Sequence, residues 1–217
     1  MGGDCLNTGC VPSKAFIKAS KVAHICKTAD QYGINIGEVT IDFAKVMERL
    51  RKIRAKISHV DSCFKFQKKY DIDIFLGQAE FLSPEQLKIN DNTFKIGDNV
   101  SKVCIAAGCS PYIPDIANIN DFPYFTNENV FNLTEKPQKL VIIGAGPIGC
   151  ELGQSFARFG TEVTFITKNK NILPKEDEDA SKMLYQQMID DGVKFLFESE
   201  PTAITNLKTE GKIWTPN

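Results

Sequence analysis

The chain has 217 residues, 26 basic against 27 acidic side chains, 42% hydrophobic residues, 15 Gly and 10 Pro. These are the proportions of a globular protein of one or two domains, and they exclude a disordered, collagen-like or coiled-coil chain. A net charge of −1 offers no general attraction to nucleic acid or anionic lipid, no apolar run reaches the ~18 residues of a membrane span, and seven Cys is an odd count for a secreted disulfide scaffold. A reducing, cytoplasmic setting is expected, where a disulfide is catalytic rather than structural.

Residues 11–29 predict a helix, with Pro12 in its first turn and Phe16, Ile17, Ala19, Val22 and Ala23 along it. A longer helix is expected over 42–70, because Phe43, Val46, Met47, Leu50, Ile53 and Ile57 recur at helical spacing. Arg49, Arg51, Lys52, Arg54 and Lys56 fall on its other faces and read as a solvated surface rather than a nucleic-acid site. Short apolar runs at 73–76, 79–82, 86–89 and 93–96, separated by turn residues, predict an antiparallel ribbon, and 103–107 reads as a further strand closed by Gly108. From Pro111 to Lys139 the chain is turn-rich and reads as a linker. A strand at 140–143, a helix at 147–159, a strand at 162–166, a helix at 178–191 and a strand at 193–197 then give a β-α-β-α-β order. That order argues for a parallel sheet with helices on its faces.

The first of these strands runs straight into Gly144-Ala145-Gly146-Pro147-Ile148-Gly149. A strand before the glycines, a helix after them and a second strand some 20 residues on are the context of a dinucleotide-binding loop. Gly144 permits the tight turn, Gly146 the approach of a pyrophosphate and Gly149 close helix–strand packing, with the phosphates on unpaired N–H groups at the helix start. The competing reading is a glycine-rich turn with no ligand. At the end of the second strand stand Thr167, Lys168, Asn169 and Lys170, with no acid to accept from a ribose diol. Lys168, with Lys170, therefore favours the 2′-phosphate of NADP over NAD, against the alternative of two ordinary solvated charges.

Cys5 and Cys10 are five residues apart, immediately before Val11-Pro12-Ser13-Lys14. On a regular helix they would point roughly 140° apart. The Asn7-Thr8-Gly9 turn allows a tighter loop within disulfide range, with Cys10 at the positive end of a helix, where a thiolate is favoured. A zinc site lacks a second cysteine pair, and His24 and His59 are not at ligand spacing. Two unrelated buried cysteines are the third reading.

The segment Gly2-Gly3-Asp4-Cys5-Leu6-Asn7-Thr8-Gly9-Cys10-Val11-Pro12-Ser13-Lys14 resembles the active-site segment of class I pyridine nucleotide-disulfide oxidoreductases. Ala106–Pro111, the glycine loop with its helix, and Asn171–Asp177 resemble further stretches of that family. The resemblance implies an α/β fold: a partial FAD-binding domain at 1–115, a linker at 116–138, and a Rossmann-like βαβ nicotinamide-nucleotide-binding domain at 139–217. It implies that Cys5 is the interchange thiol and Cys10 the charge-transfer thiol beside the flavin, with Lys14 near the flavin and paired to Glu151, both at the cofactor site. By the same resemblance Gly77, Ala79, Ala107 and Gly108 contact FAD, while Gly144, Gly146, Pro147, Ile148, Gly149, Thr167 and Lys168 bind NADP or NAD.

Pro12-Ser13-Lys14 is similar to the lipoamide dehydrogenase and mercuric reductase branch, and Thr167 in place of the usual Glu leans toward the mercuric side. The implied substrate is a small disulfide or dithiol, or a metal ion. A preceding FAD phosphate-binding unit and a following dimerisation domain are also implied, so the chain is expected to be part of a longer homodimeric enzyme. The rival from another class is a non-catalytic nucleotide-binding remnant.

Overall fold

The structure, a computed structural model, describes residues 2–98 and 100–204. Residues 205–217 of the expected nucleotide-binding domain therefore lie outside the described residues. Contacts divide the chain into two units: 57–110 with the N-terminal glycines, and 4–56 with 111 onward.

The second unit holds the core. Helix α1 (Gly3–Asn7) leads through a turn into α2 (Cys10–Lys27), whose Ala15, Phe16 and Ala23 are buried on one stripe. Helix α3 (Phe43–Ser58) adds Phe43, Met47 and Leu50 at i, i+4 and i+7. The rings of Phe156 and Phe159 stand 5.0 and 5.1 Å from that of Phe16, edge-on. Residues 111–138, expected as linker, place Ile116, Val130, Phe131 and Leu133 in buried positions.

Three parallel strands carry the site. Numbering strands in chain order, β4 (Lys139–Ile143), β5 (Glu162–Ile166) and β6 (Lys194–Leu196) pair in that order, with Lys139 opposite Glu162 and Ile166 opposite Leu196. Helices α5 (Pro147–Arg158) and α6 (Glu178–Asp190) supply the crossovers. Val163 and Phe165 are fully buried, as period-2 alternation demands of one covered face. The opposite face differs from the expectation of helices on both. Val141 is 59% exposed and Leu196 52%, because the helix positions that meet the sheet, the bare Gly153 backbone on α5 and the Tyr185 ring on α6, lie over Phe165 and Phe195.

The first unit is an antiparallel ribbon, β1 (Ala79–Ser83), β2 (Gln86–Ile89) and β3 (Asn92–Lys95), preceded by helix α4 (Cys63–Tyr70). The expected long helix over 42–70 is in fact α3 and α4. Ser62 breaks it: its hydroxyl accepts from the Lys65 N–H at 3.3 Å and caps a new helix. Residues 73–76 and 103–107 are not strands. Apolar composition favours a strand only where a neighbour completes the ladder, and none pairs with them among the described residues. Ile105 is 76% exposed as a result.

Candidate redox and nucleotide site

Cys5 and Cys10 form a disulfide, with Cα atoms 4.5 Å apart. The turn that closes it is built locally. Thr8 donates its N–H to the Asp4 carbonyl at 2.9 Å and its hydroxyl to the Asp4 carboxylate. Gly9 suits this turn, because a Cβ would sit only 3.0 Å from the Asp4 carbonyl oxygen and 3.3 Å from the Cys5 Cα. Its carbonyl then accepts from Ser13 N–H at 3.0 Å, which starts α2. Cys10 is the first residue of α2, beside unsatisfied N–H groups and the positive helix end. The two sulfurs are bonded to each other, so neither the zinc arrangement nor two unrelated cysteines describes this pair.

The basic residues of α3 are not the uniformly solvated face that their run suggested. Arg54 donates to the Asn7 carbonyl at 3.0 Å, inside the redox turn, and Arg49 to Ala15 at 3.3 Å. Arg51 reaches Leu133 at 3.4 Å. The lysines among them behave as expected: Lys52 pairs along the surface with Glu48 at 2.5 Å. The one available signal was the choice of Arg, whose planar fork suits fixed acceptors, over Lys.

Lys14, one turn into α2, pairs with Glu151 of α5 at 2.5 Å. The pair is 60% and 39% exposed, so water screens it. Deeper along the same interface the Ser20 hydroxyl donates to that of Ser155 at 3.1 Å, and both are buried. At its far end Asp191, only 3% exposed, accepts from Gln154 at 2.8 Å and Arg158 at 3.0 Å and stands 3.1 Å from His24. Sequence reading missed this carboxylate, since its partners lie 33 or more positions away.

Between β4 and α5 lies the glycine loop. Gly144 has φ +91° and donates its N–H to Ile166 at 2.8 Å, turning the chain at the carboxyl end of the sheet. Around Gly146 nothing stands within 4 Å of an added Cβ, so a ligand could approach the backbone there. A Cβ at Gly149 would stand 3.1 Å from the Gly144 carbonyl oxygen. A fourth glycine, Gly153, was overlooked, although a Cβ there would fall 2.5 Å from the Phe165 ring. Pro147 starts the helix and Ile148 is 61% exposed beside the open loop. No side chain caps α5. This loop fits the pyrophosphate of a nicotinamide nucleotide, its open cradle facing free N–H groups at the crevice outside the strand ends.

Thr167 is buried, and its hydroxyl accepts from Asn169 N–H at 3.3 Å, closing the exit of β5. Lys168 and Lys170 extend into solvent. Cys150 is buried beside the Ala145 carbonyl, and burial pushes its thiol up to about 11.

The four residues expected at FAD lie in the first unit. Gly77 accommodates Asn90, whose side chain donates to the Leu76 carbonyl at 2.9 Å and would collide with any Cβ. Ala79 opens β1 opposite Ile89, while Ala107 and Gly108 lie in an exposed extended segment. Among the described residues there is no second strand–glycine-loop–helix to hold the phosphates of FAD. The fit of these residues to FAD is thus partial.

The profile of the family described as "Pyridine nucleotide-disulphide oxidoreductase" matches residues 1–214. The chain belongs to that family. The class I resemblance of its cysteine segment and its α/β nucleotide-binding fold stand with it. Its relatives include a dihydrolipoyl dehydrogenase of Bacillus subtilis, 33% identical over 196 residues, covering 89% of this chain and 42% of the relative. A mercuric reductase of Staphylococcus aureus is 28% identical over 212 residues, covering 97% and 37%. Among solved structures, the Cu(II) complex of the HOCl-induced flavoprotein disulfide reductase RclA from Escherichia coli superposes with a TM-score of 0.73 at 25% identity. It covers 94% of this chain and 43% of that one. The chain therefore spans about two fifths of the length of these three proteins. Members of the family are FAD-dependent and use NAD(P)H. Among the described residues no helix is long and apolar enough to cross a membrane.

Proposed function

We propose that this chain is the disulfide-bearing and nucleotide-binding part of an FAD- and NAD(P)H-dependent oxidoreductase. Residues 1–115 would serve the flavin, 116–138 would link, and 139–217 would hold the nicotinamide nucleotide. One observation carries the reading. The Cys5–Cys10 disulfide opens α2, and α2 is joined through Lys14 and Glu151 to the helix that begins at the glycine loop.

When bound, NAD(P)H and FAD supply the electron pair that opens the disulfide. The chain's own residues do the rest. Reduced Cys5 attacks a substrate disulfide, one substrate thiolate leaves, and a mixed disulfide forms. Cys10 then attacks the Cys5 sulfur, releasing the second substrate thiolate and restoring the Cys5–Cys10 bond. The start of α2 favours the Cys10 thiolate for this step. Lys14 and Glu151 hold α2 against α5. Gly144, Gly146, Pro147, Ile148 and Gly149 receive the pyrophosphate. Lys168 is the cation available to a 2′-phosphate, and either NADP(H) or NAD(H) fits the loop.

The names of the relatives support a disulfide or dithiol, or a metal ion, as the substrate class. A cytoplasmic homodimer is the proposed whole protein.

The test is a thiol count and a titration. Denatured under non-reducing conditions, the chain should show five thiols, and seven after reduction, matching its seven cysteines less the one disulfide. Adding 5′-AMP should be detectable by calorimetry and lost in Gly146→Val. Seven thiols without reductant, or no nucleotide binding, would overturn the proposal.

A further inference from the structure

The exits of β5 and β6 are zipped together beside the glycine loop. Thr167 donates its N–H to the Leu196 carbonyl at 3.0 Å, Ser199 returns one to Thr167 at 3.0 Å, and Glu198 donates to Asn169 at 3.3 Å. Glu198 adopts the left-handed conformation, φ +49°, in which a non-glycine residue is uncommon. This zipper brings the Glu200 carboxylate to 3.9 Å from the Lys168 ammonium, and that of Glu198 to 4.0 Å from Lys170.

All four side chains are 65–82% exposed. Pairs of this kind add little to folding. Their effect falls instead on whatever charge arrives. A 2′-phosphate would meet two cations and, at nearly the same place, two carboxylates. A plain ribose diol would meet the same carboxylates as hydrogen-bond acceptors, the role that an acid at the end of β5 usually plays in NAD sites.

We propose that Glu198 and Glu200 are specificity-determining residues that screen Lys168 and Lys170 and cancel the preference for a 2′-phosphorylated nucleotide. The acid missing from β5 is supplied from the exit of β6. This inference rests on the nucleotide reading of the glycine loop and deepens it.

Calorimetric titration of the full chain with 5′-AMP and with 2′,5′-ADP, at low ionic strength, tests it. The unsubstituted chain should bind the two within about threefold of each other. Glu198→Gln with Glu200→Gln should raise the affinity for 2′,5′-ADP about tenfold and lower that for 5′-AMP about threefold, since the ribose diol loses its charged acceptors. Adding Lys168→Gln and Lys170→Gln should erase the gain. An unchanged affinity ratio in the doubly substituted chain, or a tenfold preference for 2′,5′-ADP before any substitution, overturns this inference and leaves the nucleotide site standing. Failure of the unsubstituted chain to bind either nucleotide overturns both.

Discussion

Two parts of this chain of similar composition meet water differently. Between residues 57 and 110 no described side chain is buried, although the segment carries Phe64, Tyr70, Phe75, Phe81 and Ile105. In the other unit Phe16, Phe43, Phe131, Phe156, Phe159 and Phe165 are each at most 6% exposed. Aromatic content alone therefore does not make a core. In the second unit the apolar residues come at helical or alternating spacing on elements that face one another. The ribbon presents its apolar residues on a single layer, and a two- or three-stranded layer needs a covering partner to become stable.

The comparison is sharpest in hydrogen exchange. Amides of β4 and β5 should exchange roughly a thousandfold more slowly than those of 72–76 and 103–107, since the former open only with the core and the latter need no unfolding. Comparable protection would break the contrast. Truncation comes next. Phe16→Ala should cost about 3–5 kcal/mol in denaturant unfolding, because it empties a ring site shared with Phe43, Phe156 and Phe159. Phe81→Ala, at 48% exposure, should cost under about 1 kcal/mol.

Cysteine labelling gives a third contrast. Cys104 and Cys109 of the first unit are exposed, whereas Cys150 of the second is buried with its thiol raised to about 11. A raised thiol carries less thiolate at pH 8, so iodoacetamide should modify Cys150 about a hundredfold more slowly, read by mass spectrometry. Labelling of Cys150 should appear only as pH climbs toward that value. Fourth, Gly153→Ala forces a methyl group into the Phe165 ring and should cost about 1–3 kcal/mol by thermal melting. Gly146→Ala meets nothing and should leave stability within about 0.5 kcal/mol. Lys14→Met should likewise cost little, under about 1 kcal/mol in stability, because the ion pair with Glu151 is half in water.

The nucleotide half was legible because its signals are local. Alternation in Glu162–Ile166 predicted β5 to the residue, and the glycine spacing placed the loop. The disulfide was suggested by a turn only four residues long between its cysteines, zinc was disfavoured by the lack of a second cysteine pair, and the family resemblance then implied that the two cysteines form the redox pair. What escaped depends on partners remote in sequence. Arg54 reaches Asn7 across 47 positions, and Glu200 meets Lys168 from beyond the end of β6, so neither contact leaves a periodic trace. The break at Ser62 was missed for the opposite reason. Apolar spacing runs through 43–57 and basic residues continue to Lys69, and a single cap outweighed that continuity.

Asp191 sets where this molecule could be cut. It closes the turn after α6, inside the nucleotide-binding half, yet His24 of α2 is one of its partners and Phe16 covers the neighbouring Phe156 and Phe159. A truncation that began at residue 116 would keep every strand of the parallel sheet and every glycine of the loop. It would also open those two rings to water and take one partner from a buried carboxylate. The smallest piece worth expressing for nucleotide-binding work therefore begins at or before the cysteine turn. An excised Rossmann-type half would call for polar replacements at 156 and 159 before it stayed in solution.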